Sequence, residues 1–335
     1  MSGDTAISWT DRVWNPVVGC TKVSQGCKHC YAFDVHGIRH KAYQEGKLQN
    51  IPQYAHPFTT VQLLPQRLMD PVRWRKSRRI FVNSMSDLFH EDVPEGYIDQ
   101  VFGVMFVCAE REHNPHSFQV LTKRPERMRD YLLDPKRRWK VAQAISGRFE
   151  EGDSWFDQIA YGQGPLTSPG IWLGTSVEDQ RAADERVPLL LDTPAAVRFL
   201  SCEPLLGPVS LAQWLDPIQD LFTCQRCGEE FASGEADSAG RHPYCGGQGD
   251  PSGFTDPEQA LHWVIAGGES GRLARPMHAD WARTLRDQCA AADVPFHFKQ
   301  WGRFDAQGAA STSGRGWPDR HLDGTLHDAF PVRPA

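Results

Sequence analysis

Short apolar runs recur along the chain, each four to six residues long and most ending in polar or glycine residues. They lie within RIFVNSMSD (79–87), SFQVLTKR (117–124), GIWLGTSVED (170–179), AVRFLSCEP (196–204), LHWVIAGGESG (261–271) and VPFHFKQWG (294–302). That length suits buried strands. Helix-like segments separate several of them, including 94–113 after the first run and 280–294 before the last. Alternating strands and helices predict a parallel sheet. A further strand is expected near RVWNPVVG (12–19). The predicted fold class is α/β, a partial TIM-like (β/α) barrel of about six or seven parallel strands.

One stretch interrupts the pattern. Residues 216–257 are rich in Gly, Asp, Ser and Cys and poor in aliphatic side chains, which marks an insertion. The expected organisation is a first barrel part over 1–215, a zinc-ribbon-like insertion over 216–257, a last barrel part over 258–303 and a tail over 304–335 with no clear pattern.

In a β/α barrel the C-terminal ends of the strands line the active site. Here those ends read Asn83-Ser84-Met85-Ser86-Asp87, Thr122-Lys123-Arg124, Thr175-Ser176-Val177-Glu178, Ser201-Cys202-Glu203, Gly267-Gly268-Glu269-Ser270 and Lys299-Gln300-Trp301. Any strand must end in a polar turn, but six ends carrying Asp, Lys, Glu and Arg favour a polar site.

Composition narrows the class. The 335 residues are 40% hydrophobic and 23% charged, as in an ordinary folded globular protein. No apolar run has membrane-spanning length, and the N-terminus lacks a basic start followed by an apolar stretch, so the expectation is a cytoplasmic protein without a signal peptide or membrane partner. In a reducing compartment, clustered cysteines among the nine present bind metal or do chemistry more often than they form disulfides. The net charge of −6 argues against a strong non-specific hold on nucleic acid. Local basic segments at 67–79 and 123–140 also read as solvated helix faces.

GCTKVSQGCKHCYA (19–32) places Cys20, Cys27 and Cys30 within eleven residues. Four thiolates would complete a zinc tetrahedron or a cubane. Three thiolates hold three irons and leave the fourth open to a ligand with an amine and a carboxylate, both of which S-adenosylmethionine (SAM) presents. A Cys3His zinc site with His29 or His36, or three packed thiols, are the other readings of the same spacing.

NPVVGCTKVSQGCKHCYA resembles the cluster loop of the radical SAM superfamily, in the branch that includes spore photoproduct lyase. The spacing departs from the common C-x3-C-x2-C, because here it is C-x6-C-x2-C. With ISWTDRVWNPVVGC, GGESG (267–271) and FKQWG (298–302), the chain is similar from Ile7 to Gly302 to phage-associated three-cysteine-motif proteins of unknown function. The resemblance implies a [4Fe–4S] cluster on Cys20, Cys27 and Cys30, reductive cleavage of SAM to a 5′-deoxyadenosyl radical, and a reductant such as flavodoxin or ferredoxin. It places Tyr31 beside the adenine. It also puts the amine-binding motif, often Gly-Gly-Glu, at Ser84-Met85-Ser86-Asp87, where only the carboxylate is kept.

The remaining strand-end roles follow from residue chemistry. Lys123 or Arg124 suits the SAM carboxylate, and Thr175, Ser176 and Glu178 suit ribose hydroxyls. Gly267 and Gly268 allow close backbone approach, while Glu269 points into the mouth. Cys202, beside Glu203, is either a hydrogen-atom donor or buried packing. A nucleic-acid base or nucleotide is the expected substrate, with Lys123, Arg124 and Lys299 for phosphate and Trp301 for stacking.

In the insertion, Cys224-x2-Cys227 and His242-x2-Cys245 have zinc-ribbon spacing. An auxiliary iron–sulfur cluster or a loop without metal remain open for the same residues. Two rival functions stay in view. One is a zinc-binding nucleic-acid adaptor without catalysis. The other is a hydrolase holding Mg²⁺ on Asp87, Glu178, Glu203 and Glu269.

Overall fold

Each apolar run expected as a strand pairs into one eight-stranded sheet. The strands are β1 (Gly3–Asp4), β2 (Arg12–Trp14), β3 (Arg79–Val82), β4 (Ser117–Thr122), β5 (Ile171–Ser176), β6 (Val197–Cys202), β7 (Trp263–Gly267) and β8 (Phe296–Gln300). They lie side by side in chain order. Only β1 runs antiparallel to its neighbour; β2 to β8 are parallel throughout. The result is a curled half-barrel within a mixed α/β fold. This computed structural model describes residues 3–149, 152–215, 260–271, 273–311 and 319–332, with 221–224, 226–227, 230–232, 241, 245 and 249–253 of the insertion.

The helices are α1 (Tyr31–Gln44), α2 (Glu95–Glu110), α3 (Pro125–Leu133), α4 (Arg137–Ile145), α5 (Gly152–Ala160), α6 (Gln180–Leu191), α7 (Ala212–Leu215) and α8 (Ala279–Ala291). None is long and apolar enough to cross a membrane. α2 is buried along nearly its whole length, from Tyr97 to Ala109. α6 starts where the Asp179 side chain accepts the Ala182 amide at 2.9 Å, which satisfies one of the free donors of the first turn.

Side chains alternate across each strand. Ile80, Val82, Phe118, Val120, Leu173, Leu200, Val264 and Phe298 join the helices in the large outer core. Phe81, Trp172, Phe199, Trp263 and Ile265 face the other way and pack with Trp9 into an aromatic inner core. The Trp9 and Phe81 rings lie 4.6 Å apart. Burial on both faces is why these strands read as unbroken apolar runs. Each such side chain, Phe199 for example, stabilises the fold by about 1.5–3 kcal/mol on burial.

The tail shows no periodicity, yet its described part is built into the barrel. A hairpin of His321–Leu322 and Thr325–Leu326 leads to Phe330, whose ring lies 5.2 Å from that of Trp263. The Trp263 Nε1 donates to Ala329 O at 2.9 Å, and the Phe298 amide donates to His327 O at 3.0 Å. In the insertion, Leu221–Cys224 pairs antiparallel with Glu230–Ala232 on one side and Gly249–Gly253 on the other.

Candidate active site

The strand ends and the cysteine loop open onto a cavity of about 440 Å³. Trp9, Phe81 and Leu121 line its apolar part, and Cys20, Cys27 and Cys30 all reach it. The path that brings the cysteines there starts at β2. Asn15, buried after that strand, accepts the Met85 amide at 3.0 Å and bonds the Ser84 hydroxyl at 3.2 Å. The Tyr97 hydroxyl donates to Pro16 O at 2.9 Å. These bonds fasten the Asn-Pro stretch to the turn after β3, so the loop must leave over the strand ends.

The six-residue gap between Cys20 and Cys27 reaches across the site. Arg124 Nη2 donates to Thr21 Oγ1 at 3.0 Å, Ser24 Oγ donates to Glu178 Oε1 at 2.6 Å, and Arg275 Nη2 donates to Gln25 O at 2.9 Å. A Cβ at Gly26 would overlap the Glu178 carboxylate, so the loop can rest there only with glycine at this position. Gln25–Cys27 forms a 3-10 turn, and Cys30 takes the N-cap position of α1. Burial, reinforced by the Asp87 charge, pushes the Cys20 thiol up to about 12, and burial raises Cys30 as well.

One tetrahedral ion with bonds of about 2.3 Å holds its thiolates about 3.8 Å apart. The sulfurs of Cys20, Cys27 and Cys30 do not gather within 4.8 Å of one another, with or without a histidine. His36 Nε2 lies 2.9 Å from His56 O, and its Nδ1 is buried without a hydrogen-bond partner. The Cys3His zinc arrangement therefore has no geometric basis among the described residues.

Cations and carboxylates pair in and beside the wall. Asp87 accepts from Thr122 Oγ1 at 2.7 Å, from the Phe89 and Lys123 amides, and from Arg124 Nη1 at 3.2 Å. Lys299 Nζ lies 2.9 Å from Glu203 Oε1, and Arg275 Nη2 lies 2.7 Å from Glu269 Oε1. Lys123 Nζ lies 3.1 Å from Glu178 Oε1. Each of the four carboxylates has a cationic partner, and no three converge, so the described residues offer no Mg²⁺ site of the expected kind.

The structure sorts the predicted residues by the side of the sheet they face. Tyr31, Ser84, Ser86, Asp87, Lys123, Arg124, Ser176, Glu203, Gly268 and Glu269 line the cavity with the three cysteines. Tyr31 is 42% exposed and donates its hydroxyl to Ser84 O at 2.7 Å. Thr175 does not reach the cavity, because alternation turns it outward, where its hydroxyl donates to Thr122 O at 3.0 Å. Cys202 is likewise turned into the outer core that holds Cys289, and burial pushes its thiol up. Glu178 lies beneath the cysteine loop, between Lys123, Arg186 and Ser24, so its carboxylate supports the loop rather than facing a ribose. Gly267 leaves room for Glu203, whose carboxylate an added Cβ would crowd. Trp301 packs on Phe298 and donates Nε1 to His321 O at 3.0 Å, outside the cavity.

Four contributors escape a reading by residue type. Ser201 points into the cavity where its neighbour Cys202 does not. Ser24 and Arg275 anchor the cysteine loop. Asn83, at φ 62°, lines the cavity with a buried side-chain amide nitrogen that has no hydrogen-bond partner. The run of polar residues after β3 was the available signal for Asn83.

In the insertion, Cys224 Sγ lies 3.2 Å from Cys245 Sγ, which lies 3.5 Å from Cys227 Sγ. The three sulfurs could hold a metal ion. His242, the expected fourth ligand, lies outside the described residues.

A family model described as a protein of unknown function, DUF5131, matches residues 4–331. No curated protein and no solved structure matches the chain. The family match runs through the cysteine loop, every strand of the half-barrel and the described tail hairpin, and the chain belongs to the DUF5131 family.

Proposed function

We propose that this chain is a radical SAM enzyme whose cavity holds a [4Fe–4S] cluster on Cys20, Cys27 and Cys30, with SAM beside it. The carrying observation is that three cysteines, too widely spread for one ion, share a cavity with paired cations and carboxylates. One further feature fits the group: the unpartnered side-chain nitrogen of Asn83 can donate to a ligand atom. When bound and reduced, the cluster would supply the electron that splits SAM into methionine and a 5′-deoxyadenosyl radical.

The chain's own residues bind and orient. A wall of paired charges matches a zwitterion, because each end of the ligand finds a counter-charge without a net field. Arg124 and Lys299, which line the cavity, would serve a ligand carboxylate, and Glu203 and Glu269, on the same wall, an ammonium. Arg124 Nη1, 3.9 Å from Cys20 Sγ, would offset thiolate charge. Tyr31 presents its ring at the cavity edge for an adenine.

Anaerobic reconstitution tests this reading. Iron and sulfide should bind the wild type and be lost in Cys20→Ala, Cys27→Ala and Cys30→Ala, since each thiolate is the sole protein ligand of one iron. The reduced wild type should convert SAM to 5′-deoxyadenosine. Full cluster retention in the three variants, or no 5′-deoxyadenosine from a fully loaded and reduced protein, would overturn it. Adding single-stranded DNA, duplex DNA, RNA, nucleotides or peptides and following turnover then sorts the substrate class.

A further inference from the structure

We infer that the insertion carries a structural zinc ion on Cys224, Cys227 and Cys245, separate from the cavity and its cluster. The contrast between the two cysteine triads is the main argument. In the cavity the sulfurs stand apart. Here they crowd together, 3.2 and 3.5 Å apart along the pairs from Cys245. One tetrahedral ion with bonds of about 2.3 Å would place thiolates about 3.8 Å apart, close to this arrangement. A disulfide is much shorter, at about 2.05 Å, so neither of these sulfur pairs is bonded.

The local backbone supports an ion at this point. The Arg226 amide points at Cys224 Sγ, 3.4 Å away, as the backbone of a metal knuckle does. Arg226 Nη1 donates to Cys245 O at 2.8 Å and ties the third cysteine to the turn that carries the first two. Cys224 ends the central strand of the three-stranded sheet and pairs with Gly249. An ion here would pin the two ends of the insertion's chain together.

Energetics give the ion its task. The insertion has few aliphatic side chains to bury, so its sheet gains little from the hydrophobic effect. Metal binding supplies folding free energy directly in such segments. Three thiolates select zinc over magnesium or calcium, which prefer oxygen ligands.

The experiment uses the full chain with Cys20, Cys27 and Cys30 all replaced by Ala, so that the cavity contributes no thiolate and the result is independent of the radical SAM reading. Zn²⁺ is added to the reduced protein and counted, and Co²⁺ is used as a spectroscopic probe. One ion per chain is expected, with an intense near-ultraviolet thiolate-to-cobalt band. Cys224→Ser, Cys227→Ser and Cys245→Ser should each weaken binding at least tenfold. In the same triple-alanine background, chelation should abolish hydrogen-exchange protection in the strands at 221–224, 230–232 and 249–253 and spare the strands of the half-barrel. Absence of stoichiometric Zn²⁺ and Co²⁺ binding, undiminished binding in the three serine variants, or unchanged protection after chelation would overturn the assignment.

Discussion

Glu178 shows how one side chain can serve the site without touching a ligand. Burial acts to raise its carboxyl, but Lys123 and Arg186 outweigh that and hold it below the usual carboxylate range. Glu178→Gln would leave the buried Arg186 and the partly buried Lys123 without their counter-charge. A loss of about 3–5 kcal/mol is expected, read from denaturant midpoints, together with poorer cluster retention. Unchanged stability would mean that the cations find other partners. Cys202 gives the opposite test. Because it faces the outer core, Cys202→Ser should leave SAM cleavage intact and lower stability by roughly 1–3 kcal/mol through a buried hydroxyl. Retained stability with product formation abolished would restore the hydrogen-donor role.

Between elements, the loop after β7 clasps the cysteine loop. Arg275 donates to both oxygens of Glu269 and, with Nη2, to Gln25 O. Charge-assisted bonds of this kind are worth about 1.5–3 kcal/mol each. Arg275→Ala should therefore speed the loss of cluster iron to a chelator by more than about tenfold, with Arg275→Lys intermediate. Equal rates in all three proteins would show that the clasp is incidental. The long C-x6-C gap has its explanation at this scale too: the added residues span from Arg124 to Glu178 and Arg275 across the cavity mouth.

For the whole molecule, acid sensitivity follows from the inner core. His297 packs against Trp263 and Phe330, and burial, aided by the Arg320 charge, holds its ring down to about 4. In the unfolded chain a histidine titrates near 6.5. Between those values the unfolded state binds a proton that the folded state refuses, so stability is full above about 6.5 and falls as the pH drops toward 4. The expected loss is about 2–3 kcal/mol from this residue alone. Denaturant midpoints measured from pH 7 to 4 should show it, and His297→Phe should flatten the slope. An unchanged slope in that variant would place the acid sensitivity elsewhere.

What the linear chain determined is the seven parallel strands β2 to β8 and the identity of the polar strand ends; the short antiparallel β1 carries no apolar run to read. Burial on both faces writes each strand as a local apolar run, and a loop bearing three cysteines is visible at any fold. Tertiary structure alone decided which side each strand end presents. Thr175 and Ser176 are adjacent and chemically alike, yet only Ser176 reaches the cavity, because the helix layer claims every second position. It also decided the charge of the site, since partners such as Lys299 and Glu203, or Arg275 and Gln25, are far apart in sequence and meet only when the sheet curls. Phe330 belongs with them: a single ring placed against Trp263 has no period to read, and its burial exists only once the half-barrel has formed a concave face to receive it.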